Sequence, residues 1–170
     1  VALTGTPGTG KSSVAGELVR RGYNVIDLNS FAQEHGLFQG YDEQRQCRIY
    51  DLGAISERIE RLRAQDLIIE GLISHLLPVD ISIVLRCRPS VLEKRLRIRD
   101  YPIEKVRENM EAEALNVIAC ESRDLLKTYE IDTTLMGVGG VADSVERIIE
   151  GRGDDFTEKI DFIGEVIGWY

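Results

Sequence analysis

The apolar positions of this chain switch repeatedly between two spacings, short unbroken runs and helical stripes. Residues 1–5 (VALTG) form a run too brief for a helix and predict a buried strand. Ser12 to Arg21 predicts a helix, with Val14, Leu18 and Val19 on one side. Residues 24–28 (NVIDL) predict a second strand, and Ser30 to Gly36 a short helix. The next stretch, 37–51 (LFQGYDEQRQCRIYD), is polar and without period, and reads as a functional loop. Leu52, Ile55, Ile59 and Leu62 give a helical stripe up to Ala64. Residues 67–71 (LIIEG) and 81–87 (ISIVLRC) predict strands, the latter rich in β-branched residues.

Pro89 to Ile98 predicts a helix, its proline at the start where a missing N–H is harmless. Ile103, Val106, Met110, Ala114 and Val117 share one face of a longer helix. Residues 129–134 (YEIDTT) predict the last strand, and 136–140 (MGVGG) a loop. Val141, Val145, Ile148 and Ile149 mark a helix ending near Gly151. Phe156, Ile160, Ile163, Ile167 and Tyr170 then predict a final amphipathic helix, capped by Asp154 or Asp155.

Strands alternate with helices, and the strands lack strict in-and-out alternation. Both observations predict a mostly parallel sheet covered by helices on both faces. The expectation is one three-layer α/β/α domain over residues 1–170, with five parallel strands. No internal repeat or interdomain linker is visible. The chain begins inside an apparent strand, so its start is expected a residue or more upstream.

Hydrophobic residues make up 43% of the 170 and charged residues 29%, ordinary for a soluble domain. No run is long enough to span a bilayer, and no secretory leader pattern is visible. The net charge of −8 argues against strong direct nucleic-acid binding. Cys47, Cys87 and Cys120 match neither a metal spacing nor a disulfide framework, so a reducing, cytoplasmic setting is expected.

The sharpest chemical signal is GTPGTGKSS, residues 5–13. Gly5, Gly10, Lys11 and Ser12 satisfy G-x-x-x-x-G-K-[ST] between a predicted strand and a predicted helix. Backbone N–H groups must wrap a polyphosphate at close range, so side chains there are small or absent. The following helix aims its N-terminal N–H groups at the same anion. ATP with Mg²⁺ is the expected ligand. Gly5, Gly8, Gly10, Lys11, Ser12 and Ser13 would bind the nucleotide, Lys11 reaching the outer phosphates and Ser12 the metal.

A GTPase would carry [NT]-K-x-D and D-x-x-G, and neither is present. With the phosphate-binding loop, the expected three-layer domain is of the P-loop NTPase type; the chain is short for a ring-forming ATPase, which leaves the small P-loop kinases. These need an acceptor-binding insert after the second strand, here 27–49, and an arginine-bearing lid. In 85–101, Arg88, Arg95 and Arg99 would fall on one helical face, with Arg97 elsewhere. Converging on transferring phosphate, Arg95 and Arg99 would neutralise its charge; the alternative is a solvated face paired with Glu93 and Glu104. Glu70 ends a strand where an acid orients Mg²⁺ or the attacking group, the alternative being an acid facing water. Asp27 ends the second strand in a similar position.

Together LTGTPGTGKSS, GYDEQRQC, LIIEG with SHLLP, VLRCRPSVLEKRL and RDYPIEKVRENMEAE resemble the adenylate kinase isoenzyme 6 family, from Val1 to Thr134. Its members include the nuclear coilin-interacting ATPase and archaeal adenylate kinases. The resemblance implies a broad-specificity nucleoside monophosphate kinase with ATPase activity. It implies an acceptor region at Asp27 to Ile49, including Gln33, Gly40, Tyr41 and Asp42, and a short lid at Ile98 to Glu108, with Arg99 on ATP. It also implies a part in small ribosomal subunit maturation and rRNA processing, through a small-subunit ribosomal protein.

Two departures bear on turnover and acceptor affinity. The family's acid-x-His after the third strand is here Glu70-Gly71-Leu72, with His75 three residues further on. The family's acceptor arginine is here Gln33, with Arg45 and Arg48 as candidates to replace it. Three functions fit these residues. One is a kinase taking AMP. Another is an assembly ATPase whose nucleotide state switches its grip on a ribosomal protein. The third is a kinase for another small metabolite.

Overall fold

The computed structural model describes residues 1–43, 47–62 and 66–165. Arg45, Ile167 and Tyr170 lie outside them. Five parallel strands form the sheet: β1 (Ala2–Thr4), β2 (Val25–Asp27), β5 (Ile68–Glu70), β6 (Ile81–Arg86) and β7 (Lys127–Asp132), in the order β2-β5-β1-β6-β7. The central strand β1 is also the first, so the chain builds outward from it to both edges. This creates a switch point at the carboxyl ends of β1 and β5, where open α/β sheets bind ligands.

Alternate residues of each strand serve opposite faces, and in the central strands β5, β1 and β6 both faces are dry, while the edge strand β2 is partly exposed. Leu3, Ile68, Ile83, Leu85 and Ile131 pack with α1 (Lys11–Arg20) and α7 (Val138–Ile149) through Val14, Leu18, Val141, Val145 and Ile148. On the other face Ile69 packs with α2 (Leu28–His35) and α3 (Leu52–Leu62) through Leu28, Ala32, Ile55 and Ile59. Val84 packs there with Ile118 and Ala119. Double burial explains why the strands read as continuous apolar runs.

Four expectations are corrected. The supposed loop 37–51 holds an antiparallel hairpin, β3 (Phe38–Asp42) and β4 (Cys47–Tyr50), with a register irregularity between Phe38 and Gly40. Its faces are mostly solvated, so no apolar alternation announces it; the Phe38 and Tyr50 rings lie 5.2 Å apart at its base.

The long helix after Ile103 is two: α5 (Ile103–Ala114) and α6 (Val117–Leu125). Asn116 breaks it at φ +58°, a conformation asparagine tolerates, and its Oδ1 accepts from Arg86. α7 begins at Val138, so Gly139 and Gly140 are helical.

Among the described residues, up to Glu165, the final amphipathic helix is not formed. Residues 154–165 hold two single 3-10 turns, Asp154–Phe156 and Ile163–Glu165, joined by irregular chain. The Ile160 carbonyl accepts from Arg86 Nη1 at 3.0 Å, and its N–H donates to Glu130 Oε2 at 3.1 Å. A helix would have used those groups internally. α4 (Pro89–Ile98) agrees with its expected bounds.

Candidate functional site

The phosphate loop leaves β1 at Gly5 and enters α1 at Lys11. Gly5 has φ +138°, and a Cβ there would sit 2.4 Å from the Leu85 carbonyl oxygen. Gly8 has φ +92°, and a Cβ would meet Leu92 Cδ1 at 2.8 Å. The loop therefore needs glycine both for its turns and for its closeness to β6 and α4. Thr9 Oγ1 donates to the Thr6 carbonyl at 2.9 Å and pins the turn.

Lys11 is buried, its ammonium donating to the carbonyls of Gly5 at 2.7 Å and Thr6 at 3.1 Å. Burial pulls its pKa down to about 8, against the opposing pull of Glu70 and Glu113, while Arg99 adds to the lowering. An incoming polyanion would reverse that penalty.

Ser12 Oγ donates to Glu70 Oε1 at 3.3 Å. Asp27 and Glu70 are register partners at the ends of β2 and β5. Burial and the Asp27 carboxyl push Glu70 up to about 7, Lys11 and Ser12 opposing. Burial raises Asp27 too, but the hydrogen bond shared with Glu70 and the Ser30 N–H outweigh it and hold Asp27 low. Asp27 Oδ1 also accepts from Ser30 N at 2.6 Å and so caps α2.

Among the described residues, no group of three or more His, Cys, Asp or Glu is arranged to hold a metal. Mg²⁺ does not need one: it takes one or two carboxylates, a hydroxyl, water and substrate phosphates. Ser12, Glu70 and Asp27 are hard oxygen donors of that kind, and they fit it.

Two clefts border the loop. The first, about 340 Å³, is lined by Gly8, Gly10, Ser13, Arg95 and Arg99, with an apolar wall of Val14, Met136, Val138 and Val141. The second, about 490 Å³, is lined by Thr6 and Pro7 of the loop, Leu72 and His75 beyond β5, and Tyr101, Lys105 and Asn109 at the start of α5. His75 is buried, its Nδ1 3.2 Å from Thr4 Oγ1 and its Nε2 3.3 Å from Glu121 Oε2.

A family profile for the AAA domain matches residues 1–116. An Archaeoglobus fulgidus protein named "Putative adenylate kinase" is 46% identical over 173 residues, covering 98% of this chain and 93% of its own. A Methanocaldococcus jannaschii protein of the same name is 36% identical, covering 94% and 93%. This chain belongs to that archaeal adenylate kinase family. Members of the family are phosphotransferases, and this chain is such an enzyme.

Solved structures share the family's fold. A Bacteroides thetaiotaomicron shikimate kinase is 18% identical with a TM-score of 0.59, covering 88% of this chain and 95% of that one. The Bacillus subtilis YorR protein, solved with phosphorylated GDP, is 19% identical at a TM-score of 0.59, covering 88% and 94%. At these identities the likeness concerns the fold, a P-loop kinase-like α/β sandwich.

The sequence-predicted residues divide into two groups. Gly5, Gly8, Gly10, Lys11, Ser12, Ser13, Glu70, Asp27, Arg95 and Arg99 all lie at the loop or beside it. Arg95 is spent on bracing: it donates to the Thr133 carbonyl at 2.8 Å, to Thr133 Oγ1 at 3.2 Å and to the Gly8 carbonyl at 3.5 Å. Arg88 leaves the set, pairing with Glu165 at 3.5 Å.

Gln33, Gly40 and Tyr41 are exposed, and none of them, nor Asp42, lines either cleft. Arg48 stacks over the Phe38 ring at 4.9 Å. No described helix is long and apolar enough to cross a membrane.

Sequence reasoning missed Thr133, Met136, Arg86 and Glu113. The last two carried a signal. Arg86 ends an otherwise apolar strand run, and Glu113 falls three residues after Met110 on the apolar face of α5.

Proposed function

We propose that the protein is a nucleoside monophosphate kinase that transfers the terminal phosphoryl group of MgATP to AMP, giving two ADP. One observation carries this reading: a single phosphate loop is bordered by two clefts, one through Gly8–Ser13 and one through Thr6 and Pro7. Transfer between two phosphates requires donor and acceptor to meet at one anion-binding loop.

In this reading the adenine of ATP lies against Met136, Val138 and Val141, and the phosphates run along Gly5–Ser13. Lys11 exchanges its loop carbonyls for the outer phosphates. Arg99 neutralises charge on the transferring group, and Arg95 holds the loop to the end of β7 while facing the same cleft. Ser12, Glu70 and Asp27 hold Mg²⁺, which when bound offsets negative charge on the phosphates. The acceptor enters by the second cleft, and the insert 27–49, whose described residues line neither cleft, would have to close on it to bring Asp27, Gln33, Gly40, Tyr41 and Asp42 into contact. The lid 98–108 closes over both and excludes water. The whole is one domain, residues 1–170, and a cytoplasmic setting is proposed from its free thiols Cys87 and Cys120.

The second reading is an ATPase that binds a small-subunit ribosomal protein during ribosome maturation, with little kinase turnover. What favours it is Leu72, 45% exposed at the mouth of the second cleft, together with the neutral Gln33.

The deciding experiment is ADP formation from MgATP with and without AMP, beside Lys11→Ala. Stimulation by AMP, absent in the variant, is the expected result. Slow hydrolysis unaffected by AMP would overturn the kinase reading and favour the ATPase.

A further inference from the structure

Behind the phosphate loop lies a buried charged cluster that the reaction above does not use. Arg86, Glu113 and Glu130 are 1%, 3% and 3% exposed. Thr6 Oγ1, in the loop, donates to Glu113 Oε2 at 2.5 Å. The other Glu113 oxygen accepts from Arg86 Nε at 2.8 Å and from the Cys87 N–H at 3.0 Å. Arg86 goes on to Glu130 Oε2 at 2.6 Å, to the Glu113 carbonyl at 2.9 Å and to Asn116. Glu130 also pairs with Arg123.

The C-terminal segment closes this cluster. Arg86 Nη1 donates to the Ile160 carbonyl, the Ile160 N–H donates to Glu130, and the buried Phe162 ring stacks under the guanidinium at 5.4 Å. Three residues on, Glu165 accepts from Ser90 N at 3.2 Å and Ser90 Oγ at 2.9 Å, in the first turn of α4. The other end of α4 leads to Arg95 and Arg99. The same strap thus grips the support of the loop and the helix that carries its arginines.

We infer that Glu113 is a positioning residue for the phosphate loop, acting through Thr6, and that the strap 160–165 holds it in place through Arg86. The inference rests on reading the loop as a nucleotide site. A carboxylate oriented by two N–H donors on one oxygen has a fixed direction for the other, and that oxygen fixes the Thr6 hydroxyl and with it the first turn of the loop. The strap supplies two of the contacts that keep Arg86 from turning away. Losing either end leaves the loop folded but free to sample shapes that do not fit a polyphosphate.

The test is MgATP titration by calorimetry on the full chain, with loop amide hydrogen exchange and melting temperature measured in parallel. Thr6→Val removes the donor at nearly constant volume. It is expected to weaken MgATP binding about tenfold and to speed exchange at loop amides, the tenfold matching loss of one hydrogen bond to a charged group. Thr6→Ser, which keeps the donor, is expected to rescue most of the affinity. Phe162→Ala is expected to weaken binding about threefold, and to add nothing when combined with Thr6→Val, because both act on one path. Unchanged MgATP affinity in Thr6→Val overturns the role of Glu113. Fully additive effects in the double variant overturn the role of the strap. Failure of the wild-type protein to bind MgATP would instead overturn the nucleotide reading, and this inference with it.

Discussion

In the phosphate loop the lysine and the turn are met by the loop itself or the helix it enters, Lys11 by Gly5 and Thr6, Thr9 by Thr6, the Val14 N–H by Gly10, while Thr6 Oγ1, Ser12 Oγ and the Gly8 and Thr9 carbonyls reach partners elsewhere. In the C-terminal strap the same kind of irregular backbone is met from far away in sequence, Ile160 by Arg86 and Glu130, Ser90 by Glu165. Both segments are short and neither is regular. The difference is where the partner sits. A loop that satisfies itself must carry its chemistry in adjacent residues, and its mutations should strike binding. A strap satisfied at long range is part of the core's electrostatics, and its mutations should strike stability first and binding only through the loop's support.

The largest effect that separates the two is Arg86→Leu against Lys11→Ala. Arg86→Leu leaves Glu113 and Glu130 buried without their shared counter-ion, and is expected to cost about 3–5 kcal/mol of unfolding free energy in urea. Lys11→Ala removes a cation whose own burial is unfavourable, since desolvation already depresses it. It is expected to leave the urea midpoint nearly unchanged while abolishing MgATP binding. Equal losses of stability would dissolve the contrast.

That contrast also explains what could be read from the chain in advance. The five strands, α1, α4 and the placement of ten residues at or beside the loop were legible because their signals are local: a glycine spacing, a run of β-branched residues, an acid at a strand end. The strap was misread as a helix because Phe156, Ile160 and Ile163 happen to fall at helical spacing. What overrides that spacing is a pair of side chains, Arg86 and Glu130, more than two dozen residues away. The break at Asn116 escaped for the same reason, its side chain being claimed by Arg86. The hairpin 38–50 was illegible for another reason: a ribbon solvated on most of its surface has no apolar period to show.

Within the loop, the glycines sharpen the comparison. Gly5→Ala places a methyl 2.4 Å from a backbone oxygen of β6, which cannot yield as a side chain can. The expected cost is about 3 kcal/mol, read from thermal unfolding. Gly10→Ala meets nothing within 4 Å and bears only its backbone conformation at φ +106°, expected to cost about 1–2 kcal/mol. The loop's glycines thus differ in what they pack against, and Gly5, not Gly10, should report on the sheet.

Phe162→Ala comes next, with an expected loss of about 2 kcal/mol in urea, below the usual range for a core phenylalanine because the buried ring packs against the Arg86 guanidinium and belongs to none of the sheet's apolar clusters. The guanidinium loses its aromatic face but keeps its carboxylates. A loss as large as that of Arg86→Leu would mean the strap folds as one unit with the buried cluster rather than clasping a cluster already formed.

His75 shares a cleft with the loop's Thr6 and Pro7 yet is held by Thr4 on one side and Glu121 on the other. Burial lowers its pKa below the ordinary 6.5, and Glu121 opposes this without overcoming it. A group whose folded pKa is depressed adds stability above the unfolded value and loses it as pH falls. The folded state resists the proton that the unfolded chain accepts. The free-energy difference between the wild type and His75→Gln should therefore shrink as pH is lowered through 6.5. Taking the difference cancels Glu70, which burial and Asp27 raise to about 7, into the same window. Urea unfolding of both proteins on either side of that pH is the measurement. A difference that grows instead would mean that Glu121 holds His75 as an imidazolium. The wall of the second cleft would then carry a positive charge facing whatever the loop presents there.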